Sequence, residues 1–489
     1  MESPLAGVHR GLGYRRFGQT QRGWKGRSPI RRAQGAVDID TTQGRPTADE
    51  VDGPPSLPTR FAGLRRELSV PLYRNAYALM LNTVVNSAFG LLYWIVAART
   101  LSADEVGRGN ALVSLMLLVS VLTQLNWGQA LIRFLPRAGS SSQRLVISAY
   151  GTAAGLAVLG SVAVMAYCHV VLDPTDPLYV SLPFACWFVL STTAWSLFNL
   201  QDAVLTGLRS AMWIPLENGV YGLVKLALLV AVARSSLTDG VFTSWTLPVI
   251  ALLVPVNLLI FRRLLPRHVA ESPADQTPPT RRILARYLAG DYAGQVFNQF
   301  SSSFLPVLVV ALLGPADAAY FLPAQTIFFA LSLLSLSITS SLVVESSRDE
   351  AGSHRYATAV LRRMGFTVLP AAAIIAIAAP WLLELFGPDY RANATLLLQL
   401  LMISTFPRVV VSLYMAKCRL DRRTGPLALL QFVQAALIIS GTVLLTGPLR
   451  LAAVGWSALA VELLLAVVVA PSVVRWLAPH RGRQPTPPA

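Results

Sequence analysis

Two cations and three carboxylates stand in stretches otherwise too apolar to hold a charge. Lys225 lies in ENGVYGLVKLALL, which Glu217 opens, and Arg408 follows Pro407 in ISTFPRVVV; Asp291 lies in RYLAGDYAGQVFNQF and Glu462 in VGWSALAVELLLA. A cation at a lipid-facing helix centre costs roughly 2.5–3.5 kcal/mol, so Lys225 and Arg408 must face a cavity or a partner. The chemistry open to them is compensation of phosphate charge in a hydrated cleft. The structural alternative is an ion pair, or a side chain snorkelling to the interface. Glu217 cannot pair with Lys225 along one helix, because two turns separate them by about 12 Å. A partly buried carboxyl can load and release an ion near neutrality, which makes Asp291, Glu217 and Glu462 ion-coupling candidates. Asp291 equally suits a first helical turn, where the helix dipole favours an acid. Arg133, at the end of another apolar run, is either a third phosphate ligand or an anchor at the membrane edge.

Amides form a second set. Asn82 and Asn86 sit one turn apart in the first apolar run, and a shift of about 213 positions brings Gln295 and Gln299 onto them and Asp317 onto Asp104. Each pair shares one face of its helix. The four amides suit either a polar substrate or interhelical glue in a medium without water. A chain built as two such repeats predicts two homologous bundles around a central cleft, with substrate at their interface.

The elements that must position these groups follow from composition. Of 489 residues, 54% are hydrophobic and only 13% charged, against about 25% charged in ordinary soluble chains. The expectation is an all-α polytopic membrane protein. Twelve spans are predicted, at about 77–99, 110–132, 145–168, 179–205, 212–233, 241–261, 287–312, 318–344, 357–380, 393–416, 427–446 and 451–474. They group into a disordered basic tail at 1–74, a six-helix bundle at 75–261, a basic linker at 262–286, a second bundle at 287–475 and a tail at 476–489. Pro306, Pro323 and Pro407 interrupt three spans, either as breaks where a cavity is lined or as the prolines common in membrane helices. Roughly 21 basic residues fall in the even-numbered connections and the C-terminal tail, against 5 in the odd ones. That asymmetry predicts a multi-pass cell-membrane protein with both termini cytoplasmic.

Several function classes fall away. The net charge of +16 is explained by residues flanking the spans, so no nucleic-acid partner is expected. Cys168, Cys186 and Cys418 form no CxxC and read as buried packing residues. The five histidines make no metal motif, and no GxxxxGK[ST] is present, so neither metal, cofactor nor ATP-binding domain is expected.

The opening spans carry a family likeness. Asn82 through Gly90, Trp94, Ala97-Ala98-Arg99, Leu101 to Gly107, Ser114, Gly128, Ala130, Arg133 and Pro136 resemble the start of polysaccharide-export flippases. These belong to the multidrug/oligosaccharidyl-lipid/polysaccharide (MOP) exporter superfamily, with O-antigen flippases and MATE exporters. The family loop is closer to R-x-L-G-x-x-x-F/Y-G, and here Ser102 replaces its first glycine. The resemblance implies a V-shaped pair of six-helix bundles alternating between inward- and outward-open states. It implies a polyprenyl-diphosphate-linked oligosaccharide as substrate, its headgroup in a cationic cleft and its tail among membrane lipids. Polymerase and glycosyltransferases are then the expected partners, and Tyr93, Trp94, Asn126 and Trp127 join the candidates for sugar contact. Three rivals remain: a drug or cation exporter on the same fold, a polyprenyl-donor glycosyltransferase or polymerase using outward acids such as Asp104-Glu105, Asp173 and Asp176, and a passive assembly scaffold. Lys225 and Arg408 favour anionic cargo over the first, and the short outward loops count against the second.

Overall fold

The computed structural model describes residues 71–172, 174–175, 179–234, 239–272, 280–290, 292–346, 353–421 and 423–477, all within one compact unit, Ala62–Ala489. The tail to residue 70, Asp173, Asp176, the proline-rich part of the linker, Asp291 and the end beyond 477 lie outside the described residues.

The first half is built from α1 (Pro71–Thr100), α2 (Ala103–Thr123), α3 (Trp127–Phe134), α4 (Ser142–Val170), α5 (Leu182–Gly207), α6 (Ile214–Val232) and α7 (Gly240–Leu259). A π-helical turn, Ile260–Leu264, joins α7 to α8 (Leu265–Glu271). After α9 (Arg281–Gly290) the second half follows as α10 (Tyr292–Leu313), α11 (Pro315–Ser346), α12 (Ser353–Glu384), α13 (Pro388–Leu420), α14 (Thr424–Leu449) and α15 (Ala452–Leu477). Among the described residues there are no strands, and 10 helices are long and apolar enough to cross a membrane. Two more rods complete six per bundle. One is α10. The other, α5, is less apolar because it turns Ser191, Thr192, Ser196 and Gln201 into the protein interior.

The halves repeat. α2 begins at Ala103 and α11 at Pro315, α5 ends at Gly207 and α13 at Leu420, and α7 begins at Gly240 and α15 at Ala452, an offset of about 213 throughout. Packing repeats as well: α1 lies on α6 as α10 lies on α14, α2 on α5 as α11 on α13, α4 on α5 as α12 on α13, and α5 on α7 as α13 on α15. The seam between the bundles is made where α2 packs on α10 and α11.

At the end of the molecule away from the arginine-rich connections, this seam is tightly shut. Gly107 lies so close to the start of α11 that a Cβ there would overlap the Pro315 carbonyl. Tyr93, Trp94, Ala97 and Val241 of the first bundle share a buried cluster with Ala319, Leu322, Phe386 and Tyr390 of the second. Arg99 crosses the seam, donating from Nη2 to the Glu384 carbonyl at 2.6 Å and from Nε to that of Leu385 at 3.0 Å. The start of α2 is fixed by a capping box. Ser102 Oγ accepts from the Glu105 amide at 3.3 Å, and Glu105 Oε2 accepts from the Ser102 amide at 2.9 Å. Such a cap contributes about 1 kcal/mol. Glu105, a candidate acid for enzymatic chemistry, therefore has a structural task.

The structure corrects several expectations. Helices α10, α11 and α13 run unbroken through Pro306, Pro323 and Pro407, since a membrane helix re-satisfies the one lost hydrogen bond locally. The second span instead breaks without proline: Leu125 and Asn126 take left-handed backbone angles, φ 47° and 63°, between α2 and α3, a region asparagine tolerates. Helix α1 starts at Pro71, inside the expected tail, and the sixth rod continues to Glu271 through half of the expected linker. Cys168 and Cys418 are buried as expected, but Cys186 is exposed.

Candidate functional site

Helix α15 brings Gly455, Ala458 and Glu462 to one face, each about one turn from the next. Gly455 lets α15 approach α13 closely, for a Cβ there would lie 2.8 Å from Leu400 Cβ. Small residues at a membrane helix interface permit this backbone approach. The result sets Glu462 against Arg408 of α13. Arg408 Nη1 donates to Glu462 Oε1 at 3.3 Å, and Gln434 Nε2 of α14 donates to the same oxygen at 2.6 Å. Glu462 Oε2 has no hydrogen-bond partner. The carboxylate is 1% exposed and the guanidinium side chain 28%, so one partner is dry and the other reaches open space. The Phe328 ring lies 5.1 Å beneath the guanidinium, a cation–π contact that steadies it.

That open space is a cavity of about 210 Å³ within the second bundle, lined by α10, α11, α13, α14 and α15. Its polar wall carries Arg408, Arg419, Glu462, Gln325, Gln431 and Gln434, with Ser332, Ser335 and Ser412 between them. Its other wall is apolar, with Phe329, Leu333 and Leu336 of α11, all three of them exposed. Arg419, near the end of α13, is exposed at the arginine-rich end of the molecule.

Lys225 is elsewhere. It is 4% exposed and lies inside an aromatic box in the first bundle, its Nζ 3.7 Å from the Trp245 ring centre, 4.7 Å from Tyr93 and 4.9 Å from Tyr221. Tyr93 is held in turn by a hydrogen bond to the Val241 carbonyl at 3.0 Å and by Ser244 Oγ at 2.8 Å. The two intramembrane cations thus belong to different bundles. The partner that Lys225 required is a set of rings, which replace part of the hydration of the ammonium without a counterion.

Glu217 is 6% exposed, and both its carboxylate oxygens lack hydrogen-bond partners. It lies within electrostatic reach of Asp202. Asp202 Oδ2 accepts from Asn218 Nδ2 at 3.3 Å, while its Oδ1 and the Tyr150 hydroxyl are unpartnered. Sequence reasoning missed Asp202, although an acid near the end of an apolar run, LFNLQDAVL, was the available signal. Arg133 is exposed, its guanidinium 5.0 Å from the ring of Tyr287 in α9. Asn86 Nδ2 donates to Asn82 Oδ1 at 3.3 Å, so these amides bond along their own helix. Gln295 and Gln299 lie on α10. Tyr93, Trp94 and Trp127 are buried in the helix packing.

The sequence matches no protein-family model. It matches no curated protein. Its fold is that of solved MATE-family transporters. The chain is similar to the inward-facing conformation of a multidrug resistance MATE transporter of the MOP superfamily, with TM-score 0.56, 13% identity, and coverage of 81% of this chain and 94% of that one. It is similar to the outward-facing conformation of such a transporter at the same TM-score, 0.56, and 13% identity, over 84% and 96% of the two chains. A MOP superfamily transporter from Pyrococcus furiosus matches with TM-score 0.55 and 12% identity, over 83% and 95%. That protein is described as having a binding pocket of reverse polarity that suggests a different function. At such identities the likeness is one of fold: an all-helical, V-shaped, two-lobed membrane protein.

Proposed function

We propose that this chain is a membrane transporter that works by alternating access and moves a polyprenyl-diphosphate-linked oligosaccharide from the cytoplasmic to the outer leaflet. The observation that carries this reading is the cavity of the second bundle. Among the described residues it sets two arginines against one carboxylate, which leaves a positive balance for an anionic headgroup. Arginine suits phosphate because its planar fork donates two hydrogen bonds to one group. The glutamines and serines match sugar hydroxyls. The exposed apolar wall at Phe329, Leu333 and Leu336 suits a prenyl tail. At about 210 Å³, below the roughly 300 Å³ typical of the smallest ligand pockets, the cavity has room for the diphosphate and the edge of its first sugar; the rest of the glycan would lie between the bundles.

In this reading the seam closed by Arg99 is the outer gate, and the arginine-rich end faces the cytoplasm. Lys225, behind that seam, is the cation an outward-open state would uncover. Asn82, Asn86, Gln295 and Gln299 are then cleft contacts of the moving headgroup, and Arg133 guides phosphate at the mouth. Glu217 with the half-buried Asp202, and Glu462, are acids available for ion coupling, whereas the buried Asp317 is held by Arg450. The same acid pair in the first bundle is the one observation favouring a drug or cation exporter.

The test is reconstitution in vesicles with a fluorescent polyprenyl-diphosphate oligosaccharide. Native protein should move the intact lipid to the far leaflet, and Arg408→Ala should slow it at least about tenfold, the worth of one charge-assisted contact. Efflux of an organic cation with no lipid movement supports the exporter. A polymerised product supports an enzyme. Transport in the cell untouched by Arg408→Ala but lost on deleting residues 1–70 supports a scaffold.

A further inference from the structure

Glu462 relies on a single guanidinium. Its Oε1 takes both donors in reach, from Arg408 at 3.3 Å and Gln434 at 2.6 Å, and its Oε2 takes none. Among the described residues, the charged groups lining the cavity are Arg408, Arg419 and Glu462, and the side chains of α11, α14 and α10 on its wall are uncharged. Both Arg408 and Glu462 line the cavity, but Arg408 is far more open to it, at 28% against 1% exposure. An anion that enters therefore competes with Glu462 for Arg408 and takes the guanidinium from the side open to water. A carboxylate left dry and unpaired is strongly destabilised in its charged form and not in its neutral one.

We propose that a phosphate headgroup and one proton bind this cavity together, the headgroup on Arg408 and the proton on Glu462. The inference rests on the cargo reading above. The balance is simple: the carboxylate takes up one proton from the bulk solvent, relayed by water in the cavity, and becomes a neutral acid, and Arg408 remains protonated throughout. Oε2, which has no donor, is the oxygen free to carry the proton, while Gln434 goes on donating to Oε1. The scheme has a direction opposite to exchange, in which a proton would leave as cargo enters. A diphosphate esterified at both ends carries two negative charges. With its proton it adds one net negative charge to the site, so the membrane potential acts on one charge per passage instead of two.

The test uses full-length protein in lipid nanodiscs and a soluble probe, a ten-carbon prenyl diphosphate linked to N-acetylglucosamine. Both phosphates of this probe are esterified, so the probe itself does not titrate near neutrality. Calorimetric titration at pH 7.5 in buffers of different ionisation enthalpy counts protons taken up per probe bound. Uptake of about one proton is expected, with affinity falling up to about tenfold per unit rise in pH, as linkage requires. Glu462→Gln should bind the probe at least as tightly as native, with no uptake and a flat pH profile. Native protein that binds the probe without proton uptake overturns the inference and leaves the cargo reading standing. So does a Glu462→Gln variant that keeps the native pH profile. Native protein that binds an organic cation but not the probe overturns the cargo reading, and this inference with it.

Discussion

Trp195, Tyr221, Trp245 and Val249 in the first bundle stand about 213 positions before Arg408, Gln434, Ala458 and Glu462 in the second. In each bundle the equivalent residues meet. Trp195 lies 6.1 Å from Tyr221 and 6.3 Å from Trp245, ring centre to ring centre, and Val249 joins the same buried cluster. Their counterparts make the Arg408–Glu462–Gln434 group and line the cavity. One helix scaffold thus gives a filled interior on one side and a hollow, polar one on the other. The difference lies in side-chain volume, an indole in the place of an alanine methyl above all. Even Lys225 follows the rule: its counterpart Ile438 lines the cavity, while Lys225 is closed in by rings. A shared backbone therefore says little about what each lobe can hold.

The contrast can be broken from either side. Trp245→Ala should open a hole in the filled bundle and remove the ring nearest Lys225, lowering stability by about 3 kcal/mol, the low end for tryptophan truncation because Trp245 is half-buried; thermal unfolding in detergent measures it. Arg408→Ala should cost about 3 kcal/mol, because it strands a buried carboxylate, and adding Glu462→Gln in the same chain should recover most of that loss. The low end of the range is expected because water reaches Arg408. Ala458→Trp should copy the filled bundle into the hollow one. Overpacking by about 1–3 kcal/mol is the expected stability effect, and the prenyl-diphosphate sugar probe should no longer bind. Retained binding would show that the cavity is not where the headgroup sits. The smallest effect concerns the caps: Ser102→Ala should lose about 1 kcal/mol, whereas the equivalent start of α11 carries Pro315 and relies on no such box.

The fold was legible because membrane burial demands long, uninterrupted apolar runs, and the common offset linking Asn82 and Asn86 to Gln295 and Gln299 already announced the repeat. The break at Leu125–Asn126 was hidden, since neither glycine nor proline marks it, and the three visible prolines pointed to breaks that helices α10, α11 and α13 absorb. At the site, Arg408 and Glu462 stood out singly as charges out of place. Their pairing did not, because 54 residues separate them and only the approach of α15 to α13 at Gly455 brings them together. The box around Lys225 draws rings from three helices, α1, α6 and α7, which no single segment reveals. Asp202 was overlooked because its significance comes from Glu217 and Asn218 on the next helix.

Arg99 holds the closed seam by gripping main-chain oxygens, those of Glu384 and Leu385. A latch addressed to the backbone has no side-chain keeper to lose. Residues 384 and 385 can change identity without removing its acceptors, and with no acidic partner to titrate, the grip is indifferent to acidity on that face of the membrane. The polar part of the fastening thus rests on one arginine laid over an apolar seam, and substituting that residue is the economical way to loosen the seam while leaving its packing in place.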